Sequence, residues 1–155
     1  MGVEAVRAFL EARAPEIVII EQASSTATVL EAAATLGVLP GQIAKTLSLR
    51  VGDAVVLIVA AGDYRLDNRK VKHALGSRLR MLVAEDVEQL TGHPLGGVCP
   101  FGLPTRLPIY CDISLRQFDT VYPAAGSRTA SVRITPERLA ELVDATWADL
   151  CSLPS

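Results

Sequence analysis

The chain has 155 residues, half of them apolar and 21% charged, with a formal net charge of −2. That length fits a single domain (1–155) with its own core, and the composition excludes intrinsic disorder. No apolar run reaches the roughly 18 residues of a membrane span, no secretory leader is visible and Gly2 lacks the Ser/Thr of a myristoylation signal, so a cytoplasmic protein with no membrane partner is expected.

In chain order, residues 3–14 read as an amphipathic helix with Val3, Val6, Phe9 and Leu10 on one face and Pro15 beyond it. The β-branched run Ile17–Ile20 predicts a strand. Ser25-Thr26 can cap a second helix over about 27–36, stopped by Gly37. From Gln42 the period becomes two: Ile43, Lys45, Leu47, Leu49 and Val51 share an inward face, and Ala44, Thr46, Ser48 and Arg50 the other. Gly52-Asp53 turns this strand into Val55–Val59 as a hairpin. Asp67 caps a basic helix that ends near Ala74 and Gly76, and 84–90 forms a short helix. A Gly/Pro-rich passage, 92–102, precedes strands at 107–112, 119–122 and 129–134. Thr135-Pro136-Glu137 opens a last helix with Leu139, Leu142 and Val143 on its apolar face. Trp147 and Leu150 are expected to pack on the core. Strands with few crossover helices give a mixed α+β domain around a curved sheet.

Cys99, Cys111 and Cys151 are odd in number and widely spaced, which fits reduced apolar residues. With His73 and His93 they offer no metal-ligand spacing, so neither a metal nor another cofactor is expected. Charge is unevenly distributed. Between Arg65 and Arg80, six basic residues (Arg65, Arg69, Lys70, Lys72, Arg78, Arg80) face one acid, Asp67. A local +5 on an otherwise acidic body suits a polyanion docking in one orientation, although a solvated helix face reads the same way.

Lys45 is one of only three lysines against twelve arginines, and it shares a strand face with Ile43, Leu47 and Leu49. Either its head snorkels to water, or it meets an anionic or polar substrate group in a cleft. The loop Gly96-Gly97-Val98-Cys99-Pro100-Phe101-Gly102 can present bare N–H groups as an anion nest or oxyanion hole, or it is a plain connection. No nucleophile elbow, phosphate-binding glycine loop or dinucleotide fingerprint occurs. Cys99 has no basic neighbour in sequence to activate it.

Several of these segments together resemble the YbaK/EbsC (ProX-like) family of prolyl-tRNA-synthetase-associated editing domains. The first is Leu36-Gly37-Val38 leading to Gly41-Gln42-Ile43 and Lys45-Thr46-Leu47. The second is Gly96 to Pro100, similar to the family's Gly-x-x-x-Pro loop. Between them lies Gly62-Asp63-Tyr64-Arg65-Leu66-Asp67. Leu107–Asp112 and Tyr122-Pro123-Ala124-Ala125-Gly126-Ser127 follow in order. The resemblance covers residues 20 to 150 and implies a mixed sheet curled into a barrel-like body, helices outside, with a cleft at one rim.

It also implies a trans-acting deacylase that removes Ala or another small amino acid from mischarged tRNA(Pro), with a synthetase as a possible partner. Lys45 matches the family's functional lysine, and Gly96, Gly97, Val98 and Pro100 its loop. Catalysis there is substrate-assisted, with the terminal ribose hydroxyl helping to activate water. The 65–80 segment (Arg65, Arg69, Lys70, Lys72 and Arg80) would meet the acceptor stem. The substrate would be bound by Thr26, Thr28, Thr46, Gly126, Ser127 and Ser131, with Thr26, Thr28, Thr46 and Ser131 as pocket walls; alternatively Thr26, Thr28 and Ser131 only cap a helix or face solvent. Ser131 stands where the Cys-directed branch commonly has an acid, which favours Ala, Ser or Thr over Cys. A non-catalytic tRNA- or synthetase-binding module, and a small-molecule hydrolase or binding protein on the same fold, are the competing readings.

Overall fold

The computed structural model describes residues 2–154. Helix α1 (Val3–Arg13) buries Val6 and Leu10, as its periodicity predicts. The Ile17 N–H bonds Ala14 O and prolongs the turn after α1, so strand β1 begins later than expected, at Ile19–Glu21. Helix α2 (Val29–Leu36) is capped by Thr28, whose hydroxyl accepts from Glu31 N. Ser25-Thr26 is not the cap. Both Thr26 N–H and its hydroxyl are held by Arg128 O, which keeps that stretch out of the helix. Gly37 closes α2 in the left-handed region.

Strands β2 (Ile43–Val51) and β3 (Ala54–Ala61) form the predicted hairpin, with Gly52 at φ +60° in the first turn position. Strand β4 (Arg65–Leu66) precedes helix α3 (Asn68–Leu75), where the Asp67 carboxylate caps Arg69 N and Lys70 N. Strand β5 (Leu79–Met81), helix α4 (Ala84–Thr91), strand β6 (Ile109–Asp112), strand β7 (Tyr122–Pro123), strand β8 (Ala130–Val132) and helix α5 (Pro136–Leu142) follow. Strands β9 (Thr146–Ala148) and β10 (Cys151–Ser152) complete the chain. The strand expected at 119–122 starts later, as a Val121–Ile134 bridge followed by β7, because the Phe118 N–H still turns back to Leu115 O.

The main sheet runs β5-β2-β3-β6-β9, with β7 also on β2, and β1–β8 and β4–β10 are separate two-stranded ribbons. None of these sheets closes on itself among the described residues, so the barrel-like body implied by the resemblance is an open curved stack here.

Both faces of the β2–β3 hairpin are covered, unlike the half-exposed strand that alternation alone predicts. Leu49, Val51, Val56, Ile58 and Ala60 pack beneath Val71 of α3 together with Leu150 and Cys151. On the other face, Ala44, Leu57 and Val59 join Val6, Leu10, Cys99, Phe101 and Leu139 in the larger core. Leu150 is buried as expected. Trp147 is half-buried, with the Arg116 guanidinium 3.8 Å above its ring.

Candidate functional site

The sheet contains a gap, and the cavity lies there. On the side away from β3, β2 pairs with β7 at Ile43 and Ala44 and with β5 at Leu49 to Val51. Among the described residues, no strand covers residues 45–48 on that side. The two-residue turn makes Val51 and Ala54 the pair that exchange main-chain bonds. Alternation from there directs the main-chain N–H and C=O groups of Thr46 and Ser48 into the gap. A cavity of about 360 Å³ opens beside them, walled by the start of α2, by Leu95, Gly96 and Val98 of the loop, by Val87 of α4 and by Ser131 of β8.

Two buried side-chain oxygens of residues lining this cavity have no partner among the described residues: Thr46 Oγ1 and Ser48 Oγ. Leaving a buried hydroxyl unbonded costs roughly 1–3 kcal/mol, which sets this pair apart from the other hydroxyls of the wall. The other expected wall hydroxyls differ in kind. Thr26 Oγ1 donates to Arg128 O at 3.0 Å and Thr28 Oγ1 caps α2, although both residues line the cavity. Ser131 lines it too and is buried. Ser48 was not among the expected site residues. Its signal was alternation, since it shares a strand face with Thr46.

Gly96, at φ +86°, rests on Ala27, where an added Cβ would come within 2.8 Å of the Ala27 side chain. A Cβ on Gly97 would lie 2.5 Å from Ser127 N, and Gly97 O accepts from Gly126 N at 3.0 Å. Gly126 and Ser127 therefore back the loop from behind and do not line the cavity. The N–H groups of the loop are not equivalent. Gly97 N–H donates to Pro94 O, whereas the Gly96 and Val98 N–H groups have no partner among the described residues. Pro100 is buried behind the cavity wall.

A buried brace holds the far end of the loop. His93 Nε2 donates to Phe101 O at 2.7 Å, which leaves Nδ1 as an acceptor with no partner, and Cys99 Sγ lies 3.5 Å from the ring. Burial keeps the imidazole below its ordinary value of 6.5, hence neutral at pH 7. Burial also pushes the Cys99, Cys111 and Cys151 thiols up to about 12, so none supplies a thiolate near neutral pH.

Lys45 lines the cavity, but its side chain leaves β2 on the face opposite Thr46 and Ser48. Its ammonium donates to the carbonyls of Gly62 and Tyr64 at the end of β3, which leaves one of its three N–H bonds. Burial pulls its pKa below the ordinary 10.5, while Asp63 works in the opposite direction.

The basic segment divides. Lys70 is bound to Asp149 at 2.9 Å and to Cys151 O at 2.8 Å, a tie inside the fold. Arg65, Arg69 and Lys72 are exposed on or beside α3, which covers one sheet face, whereas Arg80 stands in β5 at the sheet edge. Among the described residues, no group of three or more His, Cys, Asp or Glu is placed to hold a metal ion, and no helix is long and apolar enough to cross a membrane.

Comparison with known proteins adds four findings to this geometry. A family model described as the aminoacyl-tRNA editing domain matches residues 23–142. The uncharacterized protein YwhH of Bacillus subtilis (strain 168) is 44% identical over 153 residues, covering 97% of this chain and 98% of its own. A protein of Enterococcus faecalis with the provisional name Cys-tRNA(Pro)/Cys-tRNA(Cys) deacylase EbsC is 31% identical over 121 residues, 76% of this chain and 73% of its own. The crystal structure of a protein provisionally described as a trans-editing enzyme for prolyl-tRNA synthetase superposes with a TM-score of 0.90 at 36% identity, covering 97% of this chain and 96% of that one.

Proposed function

The chain belongs to the aminoacyl-tRNA editing domain family, the YbaK/EbsC family that its motifs resemble, and from that premise we propose that it hydrolyses the ester of mischarged tRNA in trans. The observation that carries this reading is the cavity itself. It is walled by unpartnered donors, and none of the cysteine thiols is poised to attack. Ester hydrolysis needs donors near the carbonyl oxygen and a placed water, and both can come from a preorganised backbone. The Val98 N–H, unbonded at the cavity wall, is the loop donor best suited to a developing oxyanion. Gly97 contributes by letting the loop lie flat on Ser127. In this scheme the substrate's ribose hydroxyl assists the attacking water, and the remaining Lys45 proton is available to the substrate.

The substrate proposed is tRNA(Pro) carrying Ala, Ser, Thr or another small amino acid, with the acyl side chain against Thr46, Ser48 and Ser131. Similarity to a protein described as a trans-editing enzyme for prolyl-tRNA synthetase supports the choice of tRNA. Exposed Leu95 and Met81 at the cavity give an apolar rim for the terminal base. The test is to charge tRNA(Pro) separately with Ala, Ser, Thr, Cys and Pro and to follow loss of each ester. Loss of a small mischarged residue with Pro spared is the expected result. Tight binding of every species with no hydrolysis would establish the recruiting-module alternative and refute the deacylase.

A further inference from the structure

Arg50 and Arg80 are register partners across the β2–β5 pair, so the two guanidinium side chains leave the sheet side by side on one face. Arg50 is half-buried and Arg80 exposed, and neither makes an ion pair or side-chain hydrogen bond among the described residues. Like charges directly opposite each other in a sheet destabilise it. An uncompensated arginine pair at a three-residue edge strand therefore needs a reason outside the free protein.

Alternation supplies the direction of that reason. Thr46, Ser48 and Arg50 stand on the same face of β2, so the pair continues the line of the two orphan hydroxyls. At the ordinary rise per strand residue, Arg50 lies roughly 13 Å along β2 from Thr46. Two adjacent guanidinium forks match the oxygens of a phosphate better than any single cation does. The exposed cations of α3 cannot share that phosphate, because α3 covers the opposite sheet face.

Building on the function proposed above, we infer that Arg50 and Arg80 clamp one backbone phosphate of the unpaired 3′ end whose terminal ester enters the cavity. The Leu49–Met81 and Val51–Leu79 pairs on either side fix the spacing of the clamp. Arg50 thereby becomes a nucleic-acid contact that charge clustering does not find, since it lies outside the basic 65–80 segment.

The test compares wild type, Arg50→Gln, Arg80→Gln and the double variant on two esters: charged tRNA and the corresponding 3′-O-aminoacyl adenosine, which has no phosphodiester. The ratio of kcat/KM for tRNA over that for the adenosine ester should fall about tenfold in each single variant. The double variant should lose little more than either, because both arms hold one phosphate. The slope of log kcat/KM against log salt should become shallower by about 0.7. Melting temperatures should stay level or rise as the repulsion is removed. Strictly multiplicative losses, an unchanged ratio, or equal losses on both esters would overturn the clamp. Wild-type inactivity on both esters would refute the proposed function instead. The clamp would then be judged by binding of an uncharged acceptor-end RNA hairpin, and equal affinity of wild type and double variant would refute it too.

Discussion

Thr46 and Ser48 offer the most direct way to separate a site from a packing defect. Replacing Thr46 by Val keeps the volume and removes Oγ1, and replacing Ser48 by Ala removes Oγ. In the free protein both hydroxyls are buried without a partner, each at a cost of roughly 1–3 kcal/mol. Either substitution should therefore stabilise the free domain by about 1 kcal/mol, which for a chain of this size raises Tm by roughly 2–4 °C. Activity should move the other way. A charged tRNA whose amino acid carries a hydroxyl loses its partner in the variant, and kcat/KM should drop about tenfold or more, while the Ala ester changes less than threefold. Melting curves and initial rates on Ser-, Thr- and Ala-charged tRNA measure both effects. A lower Tm together with equal rates on all three esters would show that the hydroxyls serve the fold alone, and the reasoning would fail.

Lys45→Ala should leave a folded domain by circular dichroism yet reduce kcat/KM at least a hundredfold, since the 62–64 carbonyls lose their donor and the substrate loses its nearest ammonium. Gly97→Ala should cost about 1–3 kcal/mol in urea unfolding and nearly all activity, because the new Cβ would sit 2.5 Å from Ser127 N and push the loop off its seat. His93 gives a pH signature. Its folded pKa is depressed below 6.5, so the unfolded chain takes up the proton first, and stability present above pH 6.5 is lost as the pH falls toward the folded value. His93→Gln should flatten that part of the stability–pH curve, and an unchanged acid limb would show that other groups set it.

Much of the fold was legible because local signals agreed with one another. The Gly52-Asp53 hairpin, the Asp67 cap and the Pro136 start each rest on one turn or cap chemistry that the structure retains. Strands β4, β5, β9 and β10 were not legible, since two or three residues carry no measurable period. At the site, Lys45, Gly96 and Val98 were found from pattern and resemblance, and all three border the cavity. Ser48 was passed over although alternation sets it beside Thr46, whereas the pairing of Arg50 with Arg80 is a register that only the folded sheet defines. Lys70 was read as an open cation by charge counting, which takes no account of Asp149, 79 residues away in sequence.

Buried Asp112, at the end of β6, sets where the cooperative unit ends. The Asp112 carboxylate accepts from Ser114 N, Leu150 N and Cys151 N, all in the buried interior, while Lys70 grips Asp149 and the Cys151 carbonyl from the other side. The family match stops at residue 142, yet a chain cut there would expose the socket of Leu150, strand an acid inside the sheet and loosen the basic helix. Residues 143–152 thus act as a latch that closes the domain last in the chain and holds two remote segments at once. A fusion partner or surface tether belongs after that latch.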